Sequence, residues 1–223
     1  MTHYERIHAA MRHEKPDRVP VMCQLSQGYM EAHGGETPFD MYFNAESAAR
    51  AFFKTREDLN FDGILLNVTF EDNWKELYDG AKVEYGADGS MRCLLPDGRR
   101  FEHRDHLLQL VGDPLQNSTA DIDQVEPDQV PLRLDYSSAM ALHRIAVAEG
   151  NRRGFSVHGE IVSPFDCLCV LLGLENAMMA LVTDGEKCEA ILDRYVEQCA
   201  AFDKAQTDTG VDAMKISSPF AGG

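Results

Sequence analysis

The stretch GFSVHGEI, residues 154–161, places a histidine and a glutamate two positions apart, His158 and Glu160, in an otherwise apolar run. On a strand, positions i and i+2 share a face, so both side chains point the same way, with Val157 and Ile161 on the other face. A histidine beside a carboxylate on an interior face can bind a ligand or move a proton. The bland alternative is a buried, hydrogen-bonded pair. His158 and Glu160 are therefore the candidate catalytic residues, expected near the carboxyl end of their strand. A second signal is Lys215 in DAMKIS, residues 212–217. An ammonium in an apolar strand is costly unless paired, so Lys215 either meets a carboxylate such as Glu160 or faces a wet pocket.

Polar residues also follow each apolar run. Gln24 and Ser26 come at the end of VPVMCQ (19–24), and Asn67, Thr69, Glu71 and Asp72 come at the end of DGILLNV (62–68). Asp166 follows the run that holds His158, and Ser217 ends the run that holds Lys215. Gln24, Ser26, Asn67, Thr69, Glu71, Asp166, Lys215 and Ser217 are candidate substrate-binding residues, with loop capping as the competing role. Cys167-x-Cys169 suggests metal or redox work, but DCLCVLLG reads as helical, where positions i and i+2 face apart. Ordinary buried thiols are the expectation there and for Cys23. Met178 and Met179 read as core, Trp74 as either a lid residue or an anchor, and Gly222-Gly223 as a weak phosphate-turn signal.

These residues must be held by elements that the sequence also announces. Thr2 and Glu5 form a T-x-x-E capping box for a helix over about 4–12, ended by Pro16. VPVMCQ has the length of a buried strand, and a glycine- and proline-bearing loop follows it. Residues 46–59 carry a helical apolar stripe, and DGILLNV is a second strand. Asp88-Gly89 and Asp97-Gly98 mark turns of a β-hairpin or small meander inserted at about 81–104. Residues 112–133 read as a connecting loop. Helix 137–149, strand 154–161, helical turns over 164–181, a long helix over 185–208 and strand 212–217 follow. Helices alternating with apolar strands indicate an α/β fold with a parallel sheet. Four such units are half of a (β/α)8 barrel, which typically needs about 250 residues; an open four-stranded sheet is the alternative.

Bulk properties narrow the function. The net charge of −16 over 223 residues opposes nucleic-acid binding, which needs a basic face. No stretch approaches the roughly 20 apolar residues of a membrane span, and the polar N-terminus lacks a secretory core. A cytoplasmic protein with no membrane partner and six reduced cysteines is the expectation.

The segment ERIHAAMRHEKPDRVPV resembles the opening of the uroporphyrinogen decarboxylase superfamily, where a helix leads through a P-x-D-R-x-P-like segment into the first barrel strand. GEIVSPFDCLCVLLG resembles that family's third strand and its turn, and TGVDAMKISSPFAGG its fourth strand. The resemblance implies a TIM barrel of the uroporphyrinogen decarboxylase type, with about the first four βα units present. Residues 1–223 would then be one domain, the N-terminal half of the barrel. Its open sheet edges would need cover from further chain or from a second copy in a homo-oligomer.

The superfamily holds decarboxylases and cobalamin-linked methyltransferases. Decarboxylases carry an R-Q-A-G-R segment after strand one, since substrate carboxylates need guanidinium partners. Here the segment reads Leu25-Ser26-Gln27-Gly28-Tyr29, and the aspartate expected after strand two is replaced in Asn67-Val68-Thr69. A tyrosine expected after the third strand is replaced near Val170. These departures favour the corrinoid- and zinc-dependent methyltransferase branch, with a small-molecule substrate and a corrinoid protein as partner. The zinc ligands are expected in the second half of the barrel, outside this sequence. Decarboxylation of a tetrapyrrole or another carboxylated substrate is the alternative, and a non-catalytic half barrel that binds a ligand or subunit is the third.

Overall fold

The computed structural model describes residues 1–22, 24, 26–104, 107–111 and 121–218. Its contacts divide the chain into two compact units. One comprises Met1–Val111, Ser138–Gly159 and Gln206–Ala213; the other comprises Gly112–Ser137, Glu160–Ala205 and Met214–Gly223.

In the first unit, α1 (His3–Met11) starts at Thr2 with the expected reciprocal capping box to Glu5. Its Arg6 turns inward to Asp62, whose side chain is fully buried. Asp62 accepts five hydrogen bonds: from His3 Nδ1, Arg6 Nη1, both Nη atoms of Arg18, and the Val21 N–H. Asp17 holds the other edge of the Arg6 guanidinium, at 2.6 and 2.9 Å. The E-R and P-D-R residues of the opening segment thus form one charged clip at the start of the next strand.

VPVMCQ does not form the expected strand over its described residues; Cys23 lies outside them, as do Gly222 and Gly223. Pro20 has no N–H to donate, and Val19 is 79% exposed. Val21 is held by a pair of bonds: its N–H donates to the Asp62 carboxylate and its carbonyl accepts the Asp62 N–H, both 2.8 Å. The same pair recurs between Val157 and Asp212, again at 2.8 Å each way. Val21 therefore occupies a strand's place without a ladder.

The expected loop after residue 26 instead holds α2 (Gln27–His33) and α3 (Pro38–Phe43). Ser26 and Thr37 cap them by accepting the N–H groups of Tyr29 and Asp40, and Pro38 takes a first-turn position that needs no donor. Glycine and proline here mark helix ends rather than a loop. Next come α4 (Ala45–Asp58), capped by Asn44, and β1 (Gly63–Leu66), buried throughout. A side chain at Gly63 would bring its Cβ within 2.6 Å of the Ser156 carbonyl oxygen, so only glycine fits.

The inserted segment is larger than a hairpin. After α5 (Trp74–Asp79), β2 (Lys82–Tyr85), β3 (Met91–Leu94), β4 (Arg100–Arg104) and β5 (Leu107–Leu110) form a four-stranded antiparallel sheet in sequence order. Gly89 and Gly98 turn it with φ of 80° and 90°. Further on, α6 (Ala141–Arg153) ends at Gly154, whose φ is 72°, and leads into β6 (Ser156–Val162). The unit's core joins α4, β1 and α6 through Ala48, Phe52, Leu66, Phe70, Leu142 and Phe155.

In the second unit, residues 122–124 and 127–129 are single 3-10 turns. The run expected over 164–181 is two helices, α7 (Pro164–Leu172) and α8 (Leu174–Thr183), broken at Gly173, where φ is 80°. The long helix α9 spans Gly185–Thr207, and Leu168, Leu172, Ala177, Ile191 and Tyr195 pack in one core. Met178 and Met179, expected as core, stand 42% and 60% exposed on α8. The last strand is β7 (Ala213–Ser217).

The strands outside the insertion number three among the described residues, in the order β1-β6-β7. β1 and β6 are parallel, with Gly63 opposite Ser156 and Leu66 opposite Gly159. The fold is mixed α/β with a parallel sheet, as the alternation requires. No single helix among the described residues is long and apolar enough to cross a membrane; α7 and α8 together would suffice by composition but bend by 107°.

Candidate functional site

In parallel α/β proteins the strand carboxyl ends carry chemistry and the amino ends carry stability. The candidate residues divide along that line.

At the carboxyl end of β1, Asn67 is half-buried and its amide oxygen is enclosed with no hydrogen-bond partner. A buried acceptor without a donor costs about 1–3 kcal/mol, which a substrate N–H or O–H can offset. Thr69 is exposed beyond it, and Glu71 accepts the Ser138 hydroxyl at 3.0 Å. Gln24 is exposed; Ser26 is the cap of α2.

His158 belongs elsewhere. Its Nε2 lies 3.0 Å from the Ser156 hydroxyl, which donates to Asp212 at 3.0 Å, and Asp212 lies 3.7 Å from His8 Nε2. Ser156 opens β6 and Asp212 precedes β7, so this network sits at the strand starts, not at the rim expected for His158. Burial lowers the His158 pKa, Asp212 opposes that shift, and His8 adds to it. A neutral imidazole tied to a strand-initiating hydroxyl is a positioning element.

In the second unit, Glu160 is nearly buried, 8% exposed, and accepts a hydrogen bond from Lys215 Nζ at 3.1 Å. Lys215 keeps 42% of its side chain exposed while Glu160 positions its ammonium. Asp166, 4% exposed, completes the capping box of α7, whose cap is Ser163: it accepts the Ser163 N–H at 3.1 Å and hydroxyl at 2.6 Å, and the Ser218 hydroxyl at 3.3 Å. Ser217 contributes its carbonyl, which accepts the Ser163 N–H at 2.9 Å. Asp166 and Ser217 therefore shape the turn after β6.

Cys167 and Cys169 are thiols in an apolar setting. Burial, reinforced by Cys199, pushes the Cys167 thiol up to about 12, and burial followed by Asp166 raises Cys169. Both are raised above the ordinary thiol range, which disfavours the reactive thiolate at neutral pH. Among the described residues no three His, Cys, Asp or Glu side chains converge as a zinc site requires.

Two cavities of the first unit bear on the site. The larger, about 310 Å³, is lined by residues of β2, β3 and β4 with Val111, and none of these is at a carboxyl end of the parallel sheet. The smaller, about 170 Å³, includes Thr69 and Glu71 together with Trp74 and Phe101. Sequence reasoning missed its aromatic lining because the rings come from separate segments. It also missed Asp62 and Asp212, although F-D-G-I and V-D-A-M both place an aspartate just ahead of an apolar strand.

An α/β chain with parallel strands, an aspartate clip at the strand starts and polar residues at the strand ends defines the class. Its sequence matches the family model for uroporphyrinogen decarboxylase (URO-D) over residues 2–70 and 110–223. The chain belongs to that family. The unmatched interval, 71–109, contains α5 and nearly all of the antiparallel sheet, so the insertion is an addition to the shared fold. No curated protein matches the chain. Among solved structures, it is similar to a methyltransferase from Methanosarcina mazei at 18% identity and a TM-score of 0.62, over 97% of this chain and 58% of that one. At that identity the likeness is one of fold. This chain spans 58% of that protein's length.

Proposed function

We propose that the whole protein is a methyltransferase of the URO-D family, and that β1, β6 and β7 are strands of a (β/α)8 barrel whose remaining part adds the zinc ligands. In that reaction a corrinoid supplies the methyl group. The observation that carries the reading is the segment that follows residue 24. Porphyrinogen carboxylates need guanidinium groups there, and instead Ser26 caps a helix, Gln27–His33, that contains no arginine. Within the first unit Asn67 offers an unmatched acceptor, and within the second Glu160 positions the Lys215 ammonium; each suits a small polar group. The fold-level likeness to a methyltransferase agrees with this choice, as analogy.

The full-length protein, incubated with methylcobalamin and a small thiol, is expected to bleach the methylcobalamin absorbance and form the methyl thioether in equal amount. Uroporphyrinogen is expected to pass through unchanged. Porphyrinogen decarboxylation without methyl transfer overturns the proposal. Zinc measured at one equivalent per full-length chain is the second expected result, and its absence counts against the reading.

A further inference from the structure

The smaller cavity sits where the inserted sheet meets the loop that leaves β1. Five aromatic side chains line it: Tyr42 and Phe43 from α3, Phe70 after β1, Trp74 at the start of α5, and Phe101 from β4. Phe43 and Phe101 meet edge to face, with centroids 5.1 Å apart. Trp74 and Phe70 are buried, 8% and 6% exposed, so their faces are held by the core rather than by the surface. Aromatic rings prefer such offset and edge contacts, which an inserted ring can extend.

Size limits the occupant. A cavity of about 150 Å³ accepts benzene, so the volume of about 170 Å³ here has room for one six-membered ring with a small substituent. Charge limits the substituent. The polar lining is Thr69, Glu71, Arg99 and the Tyr42 hydroxyl; Arg99 pairs with Asp97 at 2.7 Å, and the Glu71 carboxylate repels another anion. A neutral hydroxyl, able to donate and accept, suits this rim better than a carboxylate does.

We propose that the inserted sheet builds a binding subsite for a single-ring phenolic compound, with the ring between Trp74 and Phe101 and the hydroxyl at the Thr69–Glu71 rim. The subsite borders the residues assigned above to substrate contact, but it rests on the insertion's geometry and not on methyl transfer.

Trp74 is the protein's one tryptophan, so its fluorescence reports on this cavity alone. Phenol, added with excitation at the red edge of the tryptophan band, is expected to quench it saturably. Cyclohexanol, of similar size but without a π system, is expected to bind at least threefold more weakly. Phe101→Ala removes one ring and is expected to weaken phenol about three- to tenfold, the equivalent of one aromatic pair. Thr69 is exposed, so Thr69→Phe leaves the core intact while filling the mouth, and it is expected to abolish saturable quenching. Quenching that rises linearly, equal binding of cyclohexanol, or full binding to folded Thr69→Phe overturns the subsite. Since the readout is fluorescence, its failure is separate from failure of methyl transfer.

Discussion

Replacing Asp62 by alanine tests the clip that joins the opening segment to the sheet. Its carboxylate is fully buried and accepts five hydrogen bonds. Breaking a buried ion pair by removing one partner costs about 3–5 kcal/mol. Arg6 keeps Asp17, and Arg18, 39% exposed, regains water, so the loss falls at the low end, about 3 kcal/mol. Much of it comes from the Val21 N–H and the inner edge of Arg6, left without acceptors. Against a total stability of about 5–15 kcal/mol this is readily measured by urea unfolding. Burial by itself would raise the Asp62 pKa, but the bonds from Val21, His3, Arg6 and Arg18 outweigh it and lower it. A lowered folded pKa means that stability is present above the unfolded value near 3.9 and is lost as pH falls through the folded value. The wild type should therefore exceed Asp62→Ala at pH 7 and approach it in strong acid. Asp17 is 44% exposed, and Asp17→Ala should cost much less. If Asp17→Ala proves as damaging as Asp62→Ala, or if the Asp62 difference does not shrink in acid, the clip is not what holds these elements.

Other outcomes follow from the same geometry. His143 is 1% exposed beside Gln206, and burial, partly opposed by that hydrogen bond, lowers its pKa to about 4. The unfolded chain then binds the proton first, so stability should fall by roughly 3 kcal/mol as pH drops from about 6.5 to 4, and His143→Gln should flatten that slope in pH-dependent urea titrations. Burial pushes Cys93 up to about 11 and Cys167 up to about 12, so peptide mapping after native iodoacetamide treatment at pH 7 should find both unmodified, and both labelled once the protein is unfolded. On the function proposed above, Lys215→Met should raise the KM of the full-length protein for an anionic substrate roughly tenfold or more, the worth of a charge-assisted hydrogen bond, with a smaller change in kcat. An unchanged KM would remove Lys215 from substrate binding.

Local chemistry in the sequence was enough for the elements it controls. The Thr2–Glu5 box, the Asn44-capped helix, the turns at Gly89 and Gly98 and the long helix after Asp184 all depend on neighbours within a few residues. The lysine in an apolar strand likewise announced a partner, and Glu160 is that partner because β6 and β7 are adjacent. Caps at Ser26 and Thr37 were equally local, but they were outweighed by the glycines and Pro38, which mark where α2 and α3 end and begin.

Tertiary structure decided the rest, because burial and pairing depend on residues far apart in the chain. VPVMCQ reads as a strand by composition, yet Val21 is held by a clip to Asp62, 41 residues further on. His158 and Glu160 share a strand, but the distance along it separates an amino-end network around Asp212 from a carboxyl-end ion pair. Likewise no periodicity could gather Tyr42, Phe70, Trp74 and Phe101 around one cavity, since that closure depends on where an inserted sheet folds back. Residue type fixed what each group can do; chain folding fixed which groups meet.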